Sequence, residues 1–223
     1  MKKFQYFTDN NISHVAQGMV DDLDIDKQDR WRNPQPERSA LIILDMQKYF
    51  LNEVSHAFVP SAPPVLRKIN KLAGSFRKMN QPVILTQHIN TAENAGMMSK
   101  WWDDIITDDH NLSELASEIL TPNSIVIEKS QYDAFYKSSL DQILREKEIE
   151  DLIITGVMTH LCCETTARSA FVRGYSVFFA VDGTATYNEA LHRASLLNLS
   201  HGFAVPVLMD DIYSHFNEYE NEK

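Results

Sequence analysis

The sequence predicts an α/β protein in three layers, a six-stranded parallel sheet with helices on both faces. Three observations carry that prediction. From Ser39 onward, six short apolar runs rich in β-branched residues alternate with stretches of helical length. Two of the runs, Leu41-Ile42-Ile43-Leu44 and Leu152-Ile153-Ile154, are continuously apolar, the pattern of parallel strands covered on both faces. The chain has 223 residues, 43% hydrophobic and 23% charged, enough for one large domain or two small ones with a sizeable core, which excludes a disordered or fibrous chain.

In chain order, residues 1–38 are polar and mixed and end in Trp31-Arg32-Asn33-Pro34-Gln35-Pro36, whose prolines favour an extended segment. They are read as an N-terminal arm, followed by a domain over 39–208 and a tail over 209–223. Strands are expected at 40–44, 82–86, 124–127, 151–155, 175–181 and 204–208. Helices are expected at 63–79, 112–120, 138–147, 162–173, 189–201 and 210–219. The longest stretch without a clear element is 88–111, which carries Met97, Met98, Trp101 and Trp102 and has the length of a lid or binding loop.

Composition excludes several classes of function. Thirty-one acidic residues against 21 basic ones give a formal net charge of -10, a surface that repels phosphate backbones and anionic headgroups. Nucleic acid and membrane are therefore not expected partners. The seven glycines form neither G-x-G-x-x-G nor a phosphate loop. Only Cys162 and Cys163 could pair, so no disulfide framework is possible and a reducing compartment is expected. The first residues, Met1-Lys2-Lys3-Phe4-Gln5-Tyr6, lack a following apolar stretch, and nowhere do 18 apolar residues run together. A cytoplasmic protein is the expectation.

In a parallel sheet covered by helices, ligands bind beyond the carboxyl ends of the strands. Asp45-Met46-Gln47 follows the first strand, Glu128-Lys129 the third, and Gly156 to Cys163 the fourth. An acid, a lysine and a thiol are thus expected to project from one rim. Asp45 would stand at the edge of a dry region where a carboxylate can act as a base, or be a helix cap. Lys129 is either a solvated strand end or a charge that favours the ionised forms of its neighbours. Thr159 is placed to cap the following helix, whose first turn and dipole would favour a Cys162 thiolate; the alternative is a buried apolar cysteine. On that helix Cys163, Ala167, Ala170 and Phe171 share one face, expected to pack on the sheet, with Cys162 turned toward the rim. His160 with the two cysteines raises a metal site, but no spaced ligand motif accompanies them. Trp101 and Trp102, with Phe50, Tyr132, Phe135 and Tyr136, are candidate walls of a small apolar pocket, and His160 is a further candidate; packing in the core or a subunit interface is the competing reading.

Asp45-Met46-Gln47 with Phe50, Val126-Ile127-Glu128-Lys129 leading to Ala134-Phe135, and Gly156-Val157-x-Thr159-x-x-Cys162 with Thr166-Ala167-Arg168 resemble the isochorismatase-like cysteine hydrolases. The resemblance spans 39–208. It implies a six-stranded parallel sheet of Rossmann-type winding, a homo-oligomer (dimer or tetramer), and a catalytic Asp-Lys-Cys triad at Asp45, Lys129 and Cys162. It also implies a cis peptide at Val157-Met158 that aims the backbone amides of Met158 and Cys162 at the substrate oxygen.

Two departures bear on substrate. Nicotinamidases of the family hold a metal with an Asp and two His, whereas Thr86-Gln87-His88-Ile89-Asn90 offers His88 and Asn90, so neither a metal nor another cofactor is expected. Isochorismatases proper lack the nucleophilic cysteine that this chain keeps, although His160-Leu161-x-Cys163 resembles their version of the loop. The leading expectation is hydrolysis of a C-N bond in a small amide, ureide or carbamoyl compound through a thioester. Vinyl-ether hydrolysis and a catalytically silent metabolite-binding module are the alternatives.

Overall fold

The computed structural model describes residues 1–23, 32–121 and 123–221. The strands are β1 (Ser39–Leu44), β2 (Val83–His88), β3 (Ile125–Lys129), β4 (Asp151–Val157), β5 (Ser176–Ala185) and β6 (Val205–Val207). They form one parallel sheet in the order β3-β2-β1-β4-β5-β6. All residues of β1 and β4 are buried, as their unbroken apolar runs require. From the central pair β1 and β4 the strand order runs one way to β2 and the other way to β5, a reversal of the kind beyond whose carboxyl ends α/β sheets bind ligands. The backbones lie close there: a Cβ on Gly156, which has φ +109°, would lie 2.1 Å from the Leu44 carbonyl oxygen. Only glycine fits.

The helices are α1 (Ile12–Asp21), α2 (Lys48–Leu51), α3 (Ala62–Lys78), α4 (Met98–Trp101), α5 (Leu140–Glu146), α6 (Glu164–Val172), α7 (Glu189–Gly202) and α8 (Met209–Asn221). α3 starts with two prolines in its first turn, where a missing N-H costs nothing, and buries Val65, Ile69, Leu72, Ala73 and Phe76 along one stripe. Phe76 meets Phe216 of α8 at 4.9 Å between ring centroids.

Three expectations are corrected. No α-helix covers 112–120, where only a 3-10 turn forms at Ser117–Ile119, because the chain leaving β1 takes that backbone instead: Lys48 N donates to Glu114 O (2.8 Å), Tyr49 N to Leu112 O (2.9 Å), and Ala116 N to Met46 O (2.8 Å). The helix expected at 162 begins earlier, as a wide π turn over Thr159–Cys163 that runs into α6. Phe171 is 50% exposed, while Cys163, Ala167 and Ala170 are fully buried, so the packed face is narrower than the spacing implied.

The first segment packs closely on the domain. α1 buries Ile12, Ala16 and Met19, and the preceding Tyr6 and Phe7 are buried too. Arg32 grips the fully buried Asp151 at the start of β4 through both carboxylate oxygens (2.5 and 2.7 Å), and Gln35 N adds a third bond (2.7 Å). Trp31 lies outside the described residues. Tyr6 also reaches the turn after β4. Its hydroxyl lies 3.1 Å from His192 Nδ1 and accepts from Thr186 N, while Thr159 Oγ1 lies 2.9 Å from the same His192 nitrogen.

Burial holds the His192 pKa at about 3, against an ordinary 6.5. The unfolded chain therefore takes up a proton below pH 6.5 that the folded chain refuses until about pH 3, and stability falls as pH falls through that window. The expected slope from this residue is about 1.4 kcal/mol per pH unit. Urea midpoints measured from pH 7 to 4 should fall steadily, and His192→Gln should flatten the slope by roughly one proton; an unaltered slope would contradict the assignment.

Candidate active site

β1 ends in a left-handed residue, Asp45 (φ +52°), a conformation that aspartate tolerates better than most side chains. Its Oδ1 accepts a hydrogen bond from Thr86 Oγ1 at 2.6 Å. Two residues on, Gln47 ties the ends of β1 and β2 together: its Oε1 accepts from His88 N (2.8 Å) and its Nε2 donates to His88 O (3.1 Å) and Ser113 O (2.7 Å). The other oxygen of Asp45, Oδ2, faces Lys129 Nζ at 2.8 Å.

Lys129, the last residue of β3, is the hub. Its ammonium lies 2.8 Å from Asp45 Oδ2, donates to Gln131 O at 2.9 Å and to Cys162 Sγ at 3.4 Å, and lies 3.2 Å from His88 Nδ1. The expectation that Asp45 and Lys129 project from a rim needs correction, since both side chains are 0% exposed. They form the floor under a cavity. Burial alone pulls the ammonium pKa down, but the Asp45 carboxylate foremost, with the interaction with Cys162 behind it, outweighs burial and leaves Lys129 above its ordinary value.

The Cys162 thiol behaves differently from the helix-dipole expectation. Burial pushes its pKa up and the Asp45 carboxylate adds to the rise, while Lys129 opposes both, leaving the thiol well above its ordinary range. Nor does Thr159 cap the following helix, because its hydroxyl is spent on His192. The resting pair is accordingly a neutral thiol beside a carboxylate. Cys163 Sγ is fully buried and lies 3.9 Å from Thr155 O, away from the cavity.

The cavity above Cys162 has a volume of about 80 Å³, room for roughly half a dozen waters and hence for a small molecule. Phe50 and Tyr132 line it, as does Met158. Val157 ends β4 behind it, and the Val157-Met158 peptide is cis. Trp101 and His160 do not line it. Trp101 is 73% exposed because α4 turns the neighbouring Trp102 inward, where Nε1 donates to Tyr132 Oη at 2.8 Å. His160 is drawn off by Thr186, with Nδ1 2.7 Å from Oγ1.

Sequence reasoning also passed over Tyr49, His56 and Asp104, which share the cavity wall. No motif marks them. His88, noted for a metal, instead contacts the lysine; burial foremost, then the Lys129 charge, lowers its pKa to about 4, and its Nε2 lies 2.9 Å from Asn90 Oδ1.

Asp45, His88 and Cys162 each offer a ligand atom within 4.8 Å of the others. The set does not suit a metal ion, because the Lys129 ammonium sits within 3.4 Å of all three and already supplies the positive charge. The nicotinamidase-type set fits no better, since Asn90 gives its Oδ1 to His88 and its Nδ2 to Ser130 O (2.9 Å).

Residues 39–211 match the family model described as the isochorismatase domain. The chain is 38% identical over 188 residues to Nicotinamidase 3 of Arabidopsis thaliana, covering 82% of this chain and 91% of that one. It is 27% identical over 209 residues to a ureidoacrylate amidohydrolase of Pseudomonas syringae pv. syringae, covering 82% and 85%. In fold it is similar to a cysteine hydrolase from Pseudomonas syringae pv. phaseolicola 1448A, with a TM-score of 0.80, 24% identity, and coverage of 84% and 96%. A domain match over most of the chain, a relative of this identity and a six-stranded parallel sheet with helices on both sides place the chain in the isochorismatase-like cysteine hydrolase family.

Proposed function

We propose that the chain is a cysteine hydrolase that cleaves a C-N bond of a small amide, ureide or carbamoyl compound. The observation that carries this reading is the Lys129 ammonium lying between the Asp45 carboxylate and the Cys162 thiol at the floor of a small, mostly apolar cavity. Relatives named as a nicotinamidase and a ureidoacrylate amidohydrolase support it.

In this mechanism Asp45 takes the thiol proton as Cys162 sulfur bonds to the substrate carbonyl carbon. The resulting oxyanion is held by the backbone amides of Met158 and Cys162. The C-N bond then breaks, the nitrogen leaves with the proton from Asp45, and a thioester remains. Water attacks the thioester, Asp45 takes its proton, and the acid departs as the sulfur is reprotonated. Moving the first proton shifts negative charge from Asp45 to Cys162, and both stay beside the same ammonium. Without Lys129 the thiolate would form in an apolar cavity with no counter-ion, so the ammonium is needed as the charge arrives on sulfur.

Vinyl-ether hydrolysis, the reading favoured by the isochorismatase domain match, would use Asp45 as an acid and need no thiol. Ammonia and pyruvate release, measured separately on a panel of amides, ureides and isochorismate, distinguish the two.

Asp45→Asn and Lys129→Met should each lower amide turnover by roughly 100-fold or more. Each also strands a buried charge or its partner, at a cost of about 3 to 5 kcal/mol. The double variant should recover much of that stability, seen by denaturant titration, and none of the activity. Half the parental rate in either folded single variant would overturn the triad.

Cys162→Ala should abolish ammonia release. Cys163→Ala should keep it and lose about 1 to 2 kcal/mol of stability, because only a small core cavity is opened. Prolonged chelation of the purified protein should leave the rate unchanged, and a loss restored by zinc or iron would sink the metal-free mechanism.

A further inference from the structure

The wall of the cavity above the thiol carries a second polar cluster that the proposed chemistry does not use. Tyr49 Oη donates to Asp104 Oδ2 at 3.2 Å and lies 2.6 Å from His56 Nε2. His56 Nε2 and His110 Nε2 approach the same carboxylate oxygen at 3.6 and 3.7 Å. Tyr49, His56 and Asp104 share the cavity with Cys162. Asp104 Oδ1 takes no hydrogen bond among the described residues and remains available to a ligand.

The rest of the lining gives that carboxylate its leverage. Among the described residues no arginine or lysine lines the cavity, and the walls are mainly aromatic and aliphatic. Lys129 lies beneath Cys162, committed to Asp45. Lys3 sits outside, bonded to the His56 carbonyl and 4.5 Å from the Tyr187 ring centroid. An anionic group entering the cavity would give up water without gaining a counter-ion, and it would face a like charge at Asp104. A cationic or N-H-bearing group would gain an acceptor at the same point.

We propose that Asp104 selects the substrate by charge, admitting amides whose far end is a positively charged or uncharged N-H donor and turning away those that carry a carboxylate. This deepens the amidohydrolase reading and rests on it for the orientation of the scissile carbonyl toward Cys162.

Binding can be measured without turnover, by calorimetry on the full-length Cys162→Ala protein at pH 8, well above where an imidazole ordinarily protonates. The probes are benzamide, 4-(aminomethyl)benzamide and 4-carbamoylbenzoate, which share one amide and differ in charge. The cation should bind about tenfold tighter than benzamide and the anion at least about tenfold weaker. Adding Asp104→Asn should bring the three within about threefold, and adding Asp104→Lys should invert the order. Both changes are at a partly exposed side chain, and a melting curve like the parent's checks the fold. An anion that binds as well as benzamide, an order that survives Asp104→Asn, or failure of all three probes to bind would overturn the proposal. If the order holds while no amide is hydrolysed by the unmodified protein, the reaction assignment falls and charge selection stands. Hydrolysis without discrimination does the reverse.

Discussion

The site depends on one ammonium group held away from water. Lys129 ends β3, and in the strand order β3-β2-β1-β4 it is separated from Asp45 by the whole width of β2. Adjacent strands lie about 4.8 Å apart, so a long side chain is needed to bridge that gap, and lysine has the reach. The residue it must cross is His88, its register partner on β2. His88 offers Nδ1 to the ammonium at 3.2 Å while its other nitrogen faces Asn90, so the crossing adds a polar contact where an apolar side chain would have added only a desolvation cost. Gln47 fixes the spacing of the β1 and β2 ends through two hydrogen bonds to His88, with a third to Ser113 O, which keeps donor and acceptor at the distances the buried pair requires.

Burial makes this arrangement useful as well as costly. With Cys162 held above its ordinary pKa, the thiol does not ionise spontaneously into an anion stranded in an apolar cavity. The negative charge stays on Asp45 beside Lys129 until the proton moves. Because Lys129 is close to both groups, at 2.8 and 3.4 Å, that transfer redistributes charge over a short distance and leaves the net charge of the floor unchanged. A proton transfer with little net charge movement needs little reorganisation around it, and this suits groups that are fully buried.

How much of this could be read from the sequence depended on whether local pattern or tertiary competition set the outcome. β1 and β4 announce themselves as unbroken apolar runs, and Asp45 and Cys162 follow their carboxyl ends, while Lys129 closes the shorter run at β3; all three were therefore accessible. The helix expected at 112–120 was not, because hydrogen bonds from Lys48, Tyr49 and Ala116 to distant backbone satisfied that segment in another way. The N-terminal segment looked like an arm because it is polar on average. Its buried contacts come from a few residues, Ile12, Ala16 and Met19 at helical spacing and Arg32 aimed at Asp151. Trp101 and Trp102 are adjacent and chemically identical, and only the turn of α4 decides which one points inward.

Floor and walls obey different constraints. The floor groups come from strand ends whose positions are locked by sheet register and by the close contact at Gly156, so a change there disturbs a buried charge balance. The walls come from α2, α4 and the segment through Asp104 to Ile106, which sit on the sheet without belonging to it. Side chains in those segments can be exchanged without touching Lys129 or its partners, and a new wall charge would change which molecules enter while leaving the proton path intact. The residues proposed to perform chemistry and those proposed to choose the substrate thus lie on structurally separable parts of one cavity, which is why a motif points to the first set and only the folded loop to the second.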